Sequence, residues 1–252
     1  MFIRSNKLRE FGIVSGGVVI AVGIWSLFTY TGFVSPIFLP SPTRVLESLI
    51  TLIANGKFFA ALFASLGRVV GATLLAAFVG IPIGIGIGFS SFFERLTRVV
   101  VEPMRYVPIT ALLPLMILWF GIGETMKVLF LFLGIIFYLI PLVANAVHNI
   151  KREHRLVAED LGLSQWETIR KVILPAALPQ IWDSIIIVNG IGWTYVVLAE
   201  IINAKSGLGY LISISGRLQR SADVFAGLIL ITLVALVFER LLRGIKKKYF
   251  FW

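Results

Sequence analysis

The sequence predicts an all-α polytopic membrane protein with about six spanning helices, each needing roughly 20 apolar residues. Three observations carry that prediction. Hydrophobic residues make up 58% of the 252, and mean hydropathy is +0.94, well above the balance of a soluble domain. The apolar residues fall in runs of spanning length separated by short polar stretches. The basic residues gather at the ends of those runs, the pattern that orients a membrane protein. A formal charge of +10 would otherwise suggest nucleic acid, but the charges form no stripe or patch that could grip it. The absence of cysteine removes disulfide and thiolate chemistry. No large soluble domain is expected beside the spans.

Taken in order, Arg4, Lys7 and Arg9 precede a first apolar run, 11–33. It is longer than a signal-peptide core and lacks a small-residue cleavage site, so a retained span is expected. Pro36, Pro40 and Pro42 then break the chain. Thr43 can cap an amphipathic helix along the outer face, with Val45, Leu46, Leu49, Ile50 and Ile53 apolar. Residues 1–64 are expected to form this N-terminal unit and 65–252 a five-span core. The second span, 65–89, carries Gly67 and Gly71, then Gly80, Gly84 and Gly88. Small residues four apart let helix backbones approach closely in lipid, and no P-loop lysine follows to suggest phosphate binding. A polar turn with Glu94, Arg95 and Arg98 leads to a third span, 99–121, interrupted by Pro103, Pro108 and Pro114. Glu124 and Lys127 mark the next turn before a fourth span, 126–147. A fifth, 185–202, and a sixth, 224–242, end before Lys246, Lys247 and Lys248 and the aromatic Phe250, Phe251 and Trp252.

Between the fourth and fifth spans, 148–182 is too charged to cross a bilayer and too patterned for a slack linker. Arg155 to Leu161 can form a short helix with Val157 and Leu161 stacked on one face, and Gly162 offers a left-handed stop. Ser164-Gln165-Trp166-Glu167 reads as a capping box for a second helix. On that helix Trp166, Ile169 and Ile173 share a face, Thr168 points elsewhere, and Pro175 should end it because Leu174 is pushed from helical angles. Two short helices hinged at one glycine suit either a pair lying on headgroups or a knob on which a soluble partner pushes.

The stretch resembles the coupling loop of ATP-binding-cassette importer permeases, whose signature is EAA, three residues, Gly, nine residues, then I-x-L-P. Gly162 fits, 163–171 follow, and Val172-Ile173-Leu174-Pro175 closes the pattern with Val for Ile. The EAA position departs from it: Leu156, Val157 and Ala158 stand there, and Glu159 and Asp160 lie further along. The resemblance extends over most of the chain through LPSP, ASLGRVVG, ILWFGIGE and AEIINAKSGLGYLI, which look most like the nitrate, sulfonate and taurine branch. It implies a type I importer permease fold, working as a homodimer with two cytoplasmic ATPases and an extracytoplasmic binding protein. It implies no cofactor in this chain, with ATP and magnesium on the partner ATPase. It carries the ATPase-coupling role to Leu156, Val157, Ala158, Glu159, Asp160, Gly162, Ser164, Leu174 and Pro175. The cargo it implies is a small solute such as nitrate, a sulfonate, taurine, bicarbonate or a heterocyclic vitamin precursor.

Ionisable groups inside a membrane are functional suspects. On the fifth span Asn189, Trp193 and Glu200 fall on one helical face. They form either a stripe that holds helices together or, as the resemblance implies for this span together with Thr194 and Tyr195, a lining of the translocation pathway. Arg68 and Arg105 should snorkel or pair with a carboxylate, and the glycine-hinged segment 206–210 could gate or dock. No metal is expected: His148 and His154 lie beside the polar loop without HExxH or cysteine support. An intramembrane protease would need an aspartate pair or a Ser/His dyad within the spans, so the chain reads as no enzyme. An ion-coupled secondary transporter or channel is the alternative, opposed by the patterned loop, the lack of a clear inverted repeat and the scarcity of mid-span acids. Most of the 23 basic residues fall in the N-terminal tail, near Arg95, in 148–182 and at the C-terminus. The positive-inside rule then puts that loop and both termini in the cytoplasm of a prokaryotic inner membrane, with Lys57 and Ser206 outside.

Overall fold

The computed structural model describes residues 2–202 and 205–250, with side chains for these except 2–15 and 98. Arg4, Lys7, Arg9 and Arg98, on which the charge count partly rests, therefore lie outside the described side chains, and Asn203, Ala204, Phe251 and Trp252 outside the described residues. The described chain is helical and contains no strand. In order it comprises α1 (Phe2–Tyr30), α2 (Pro42–Ala54), α3 (Lys57–Phe89) and α4 (Ser91–Met104). A 3-10 turn (Ile109–Leu112) leads into α5 (Leu113–Phe120), followed by α6 (Glu124–His148), α7 (Arg152–Asp160) and α8 (Gln165–Thr168). A π turn (Ile169–Ile173) joins α8 to α9 (Leu174–Ile201), and α10 (Leu208–Arg217) and α11 (Ser221–Tyr249) complete the chain.

Four helices are long and apolar enough to cross a membrane: α3, α6, the continuous helix Gln165–Ile201 and α11. Two expected spans look different. The third is bent by 83° between α4 and the segment Ile109–Phe120. Pro103 removes a ladder donor in the last turn of α4, and Pro108 drives Val107 from helical angles. The polar turn expected at Glu94 to Arg98 is helical instead, inside α4, whose start is capped by the Ser90 hydroxyl accepting from the Phe93 amide. The first run is helical in α1 and ends at Tyr30, ahead of Phe33, with Gly16–Tyr30 as its apolar part among the described side chains. The N-cap of α2 is Ser41 rather than Thr43, with Pro42 in the first turn. It buries Val45 and Ser48 against the protein and leaves Leu46, Ile50 and Ile53 exposed.

The second loop helix does not stop at Pro175. Leu174 is helical (φ −60°, ψ −51°) and the chain runs on into α9. The π turn accounts for this. Its hydrogen bonds reach five residues back, so the ladder changes register just before Pro175, which then sits in a first turn where its missing N–H is not required.

Packing centres on α6, whose Phe130, Leu131, Ile135, Leu139, Val143 and Val147 are fully buried. Its most extensive pairing is with α3. At Gly80, Gly84 and Gly88 the two backbones come so close that an added Cβ would lie 3.2 Å from Leu139, 2.6 Å from Val143 and 2.5 Å from the Ala144 carbonyl. Gly67, in the other half of the glycine pattern, has open space around it. A methyl group at Gly84 is therefore expected to cost about 1–3 kcal/mol by overpacking, and Gly67→Ala next to nothing. Thermal unfolding of the two variants in detergent checks this, and equal melting temperatures would contradict the packing.

Candidate functional site

The polar loop is a stiff elbow built by local chemistry. At the end of α7 the Gly162 amide donates to the Glu159 carbonyl (2.9 Å) and the Leu163 amide to the Ala158 carbonyl (3.0 Å). This double closure needs a left-handed residue, and Gly162 supplies it at φ +69°. Just after it Ser164 caps α8: its hydroxyl accepts from the Glu167 amide, and the Glu167 carboxylate accepts from the Ser164 amide. Lys171 adds an ion pair to Glu167 at 2.8 Å. The connection between the two helices thus has little backbone freedom left.

The elbow presents an apolar surface outward. Ala158 and Ile173 are fully buried beneath it, while Leu156, Val157, Leu161 (71% exposed) and Trp166 (69% exposed) stand in the open. Beside them lies a shallow cavity of about 320 Å³ lined by Glu153, His154, Val157, Ala158, Leu161 and Val172. Glu159, Asp160, Ser164 and Pro175 are exposed and Leu174 half-buried. The expected grouping of Trp166 with Ile173 fails: Trp166 points out, and the buried pair is Thr168 and Ile173. Those two are five apart, the repeat of a π turn rather than of an α-helix.

Sequence reading missed Arg155 as anything but a loop charge. Its Nη2 donates to the carbonyls of Gly88 and Val147, each at 3.2 Å, and its guanidinium lies 5.7 Å from the centroid of the Phe89 ring. Basic residues near a helix C-terminus are a known signal, but these carbonyls belong to other helices, that of Gly88 being 67 residues away in sequence.

On α9 the face shared by Asn189, Trp193 and Glu200 exists, and it is turned into the protein. The Asn189 amide donates to the Thr73 hydroxyl at 3.3 Å, and Trp193 packs edge-on against Phe238. Thr194 is exposed on the opposite side, and Tyr195 packs edge-on against Phe130. Glu200 is fully buried and accepts from the Ser65 hydroxyl (2.8 Å), Arg68 Nη1 (2.5 Å) and the Gly209 amide (2.8 Å). Arg68, as expected, pairs with carboxylates. It also grips Glu124 through Nε (2.6 Å) and Nη2 (2.8 Å) and donates to the Ser206 carbonyl (2.8 Å), while Lys127 reaches Glu124 at 2.8 Å. Arg105 instead lies over the Tyr138 ring. Among the described residues no group of three or more His, Cys, Asp or Glu could hold a metal.

Residues 80–250 match the model of the binding-protein-dependent transport system inner membrane component family. The chain belongs to that family. It is 34% identical over 97% of its length to the taurine transport system permease protein TauC of Escherichia coli, covering 90% of that protein. It is also 34% identical to the putative aliphatic sulfonates transport permease protein SsuC of Bacillus subtilis, over 96% of this chain and 87% of that one. The nitrate import permease protein NrtB of Leptolyngbya laminosa is 32% identical over 71% of this chain and 64% of its own. Among solved structures, the inward-facing MetNI methionine ABC transporter aligns with a TM-score of 0.62 at 20% identity, over 73% of this chain and 94% of that one. An amino acid ABC transporter with histidines aligns at 0.63 and 17% identity, over 80% and 96%. These two likenesses show the fold, that of an importer permease subunit.

In this permease the cluster around Arg68 ties three helices and a loop to one guanidinium. The loop reaches it because Gly207 (φ +125°) lacks a side chain: a Cβ there would fall 2.3 Å from the Glu200 carboxyl. Replacing Arg68 by Met leaves Glu200 buried without a counter-charge and is expected to cost about 3–5 kcal/mol. Glu239 and Arg243 pair with both side chains exposed, so Glu239→Gln should cost about 0–1 kcal/mol. Melting temperatures of the purified variants separate the two, Arg68→Met falling far below wild type and Glu239→Gln staying close.

Proposed function

We propose that this permease carries a small oxyanion-bearing solute across the inner membrane, as a homodimer with two cytoplasmic ATPases and an extracytoplasmic binding protein. The observation that carries the coupling part is the exposed apolar surface of Leu156, Val157, Leu161 and Trp166 on a doubly capped elbow. A soluble ATPase closing on ATP and magnesium can grip such a surface and move it as a rigid piece. The substrate class is supported by the relatives, which are permeases named for taurine, aliphatic sulfonates and nitrate. On α9, Thr194 faces the passage, and Asn189, Trp193, Tyr195 and Glu200 hold that helix against its neighbours. Apolar side chains exposed on α3 and α11, such as Phe78 and Leu233, meet lipid.

Two substitutions test the docking. Gly162→Val meets no neighbouring atom, so its cost is backbone strain of about 1–3 kcal/mol at the left-handed turn. Trp166→Ser leaves the exposed fold intact and removes an aromatic anchor worth about 2 kcal/mol or more at an interface. Both should release the ATPase during purification of the complex. Retention at the wild-type level in both would return the elbow to the membrane surface.

Orientation is tested independently. Both termini and Gly162 should be cytoplasmic, with Lys57 and Ser206 outside. The chain has no cysteine, so single cysteines at 57, 162 and 206 can be labelled from outside intact cells. Positions 57 and 206 should react and 162 should not; the reverse pattern would invert the topology.

A further inference from the structure

An exposed surface on α7 is useful to the spans only if α7 cannot slide on its own. The far end of the elbow continues through the π turn into α9, which provides one attachment. Arg155 provides another, to the ends of α3 and α6; α6 also leads into α7 through residues 149–151, whereas α3 has no chain connection to the loop. The carbonyls of Gly88 and Val147 lie in the last turns of α3 and α6. Last-turn carbonyls have no partner within their own helix ladder, and they form the negative ends of the two helix dipoles; that of Val147 also accepts from the Ile150 amide at 3.3 Å. One guanidinium nitrogen reaches both, at 3.2 Å each, because α3 and α6 nearly touch here. A Cβ on Gly88 would stand 2.5 Å from the Ala144 carbonyl and 2.7 Å from Val147. The Phe89 ring closes over the guanidinium at 5.7 Å, and Arg155 Nε is buried without a hydrogen-bond partner. The half-buried side chain has thus given up part of its hydration to make these contacts, a cost that a solvated loop arginine would not bear.

We infer that Arg155 is the second transmission link of the permease, a positioning residue that staples α7 to the ends of α3 and α6. A push on the elbow then moves those helices with it. The inference rests on the coupling reading of the elbow but makes a separate claim, because it concerns what moves after the partner has docked. Planarity matters as well as charge: a guanidinium can stack on Phe89 while donating to two carbonyls, whereas an ammonium is a point charge.

The test uses the permease purified with its ATPase. Cysteines replacing Arg152 on α7 and Asn145 on α6, both exposed, take spin labels, and their separation is measured without nucleotide and with ATP and vanadate. With Arg155 present, one narrow separation should persist in both states. In Arg155→Met the ATPase should remain bound, while the separation shifts and broadens once nucleotide is trapped, and Arg155→Lys should show a smaller shift. An unchanged, narrow separation in Arg155→Met would overturn the link. So would loss of the ATPase from that variant alone, which would make Arg155 part of the docking surface. If Arg155→Met does not assemble, Arg155→Lys decides in the same way, a shift supporting the link and an unchanged separation overturning it. An ATPase that stays bound to the permease when Gly162 and Trp166 are both replaced would instead sink the coupling reading itself.

Discussion

The close approach of α3 and α6 sets the geometry on which the other features depend. Inside lipid, apolar side chains gain nothing by leaving the solvent, so helix pairing relies on backbone proximity and fit. Gly80, Gly84 and Gly88 provide both, with Leu139, Val143 and Val147 of α6 set against them. Larger residues at these positions would hold the helices apart, and each end of the pair would lose its connections. At one end Arg68 of α3 could not grip Glu124 in the first turn of α6. At the other, the carbonyls of Gly88 and Val147 would separate beyond the reach of one guanidinium.

The charge cluster is better read as a positional device than as a source of stability. Taking charges out of water costs several kcal/mol per ion, and a buried pair often only breaks even against well-packed apolar residues. What the pair does here is specify geometry. Glu200 is saturated by a hydroxyl, a guanidinium and a backbone amide, and Arg68 is divided among two carboxylates and the Ser206 carbonyl. The Ser65 hydroxyl both donates to Glu200 and accepts from the Leu208 amide. Apolar substitutes could fill the space but could not fix the segment Ser206 to Gly209 at one position.

What could be read from the sequence was what is decided locally. The Gly162 stop and the Ser164 capping box depend on residues within a few positions of one another, and both stand in the structure as expected. The glycine ladder of α3 was visible as a pattern. The pattern did not say that its second half would be used against α6 while Gly67 stayed open, because that depends on which helix lies alongside. The run through Pro175 was hidden for a related reason. A proline rule assumes the α-helical ladder, and a single π turn changes the ladder before the proline is reached. The same turn placed Thr168, not Trp166, on the buried side with Ile173. Asn189, Trp193 and Glu200 did fall on one face, but period alone cannot say whether a polar face meets water or another helix. Thr73, Ser65 and Arg68, all on α3, decide that question.

One helix carries both ends of this arrangement. From Arg68 to Gly88, α3 rises about 30 Å at 1.5 Å per residue, the thickness of a hydrocarbon core. At its Arg68 end it holds a loop that folds only because Gly207 has no side chain. At its Gly88 end it is held by an arginine from the elbow. Pro82 removes one ladder hydrogen bond along that length, so what stiffens the stretch is its packing against α6 at Gly80, Gly84 and Gly88. The segment pinned at the Arg68 end, Ser206 to Gly209, is bound mainly through side chain-to-backbone hydrogen bonds. Such bonds break with a small change of angle. The stiff parts of the molecule thus lie between two termini of different character: an elbow locked by its own backbone at one end, and a glycine loop held by shared charges at the other.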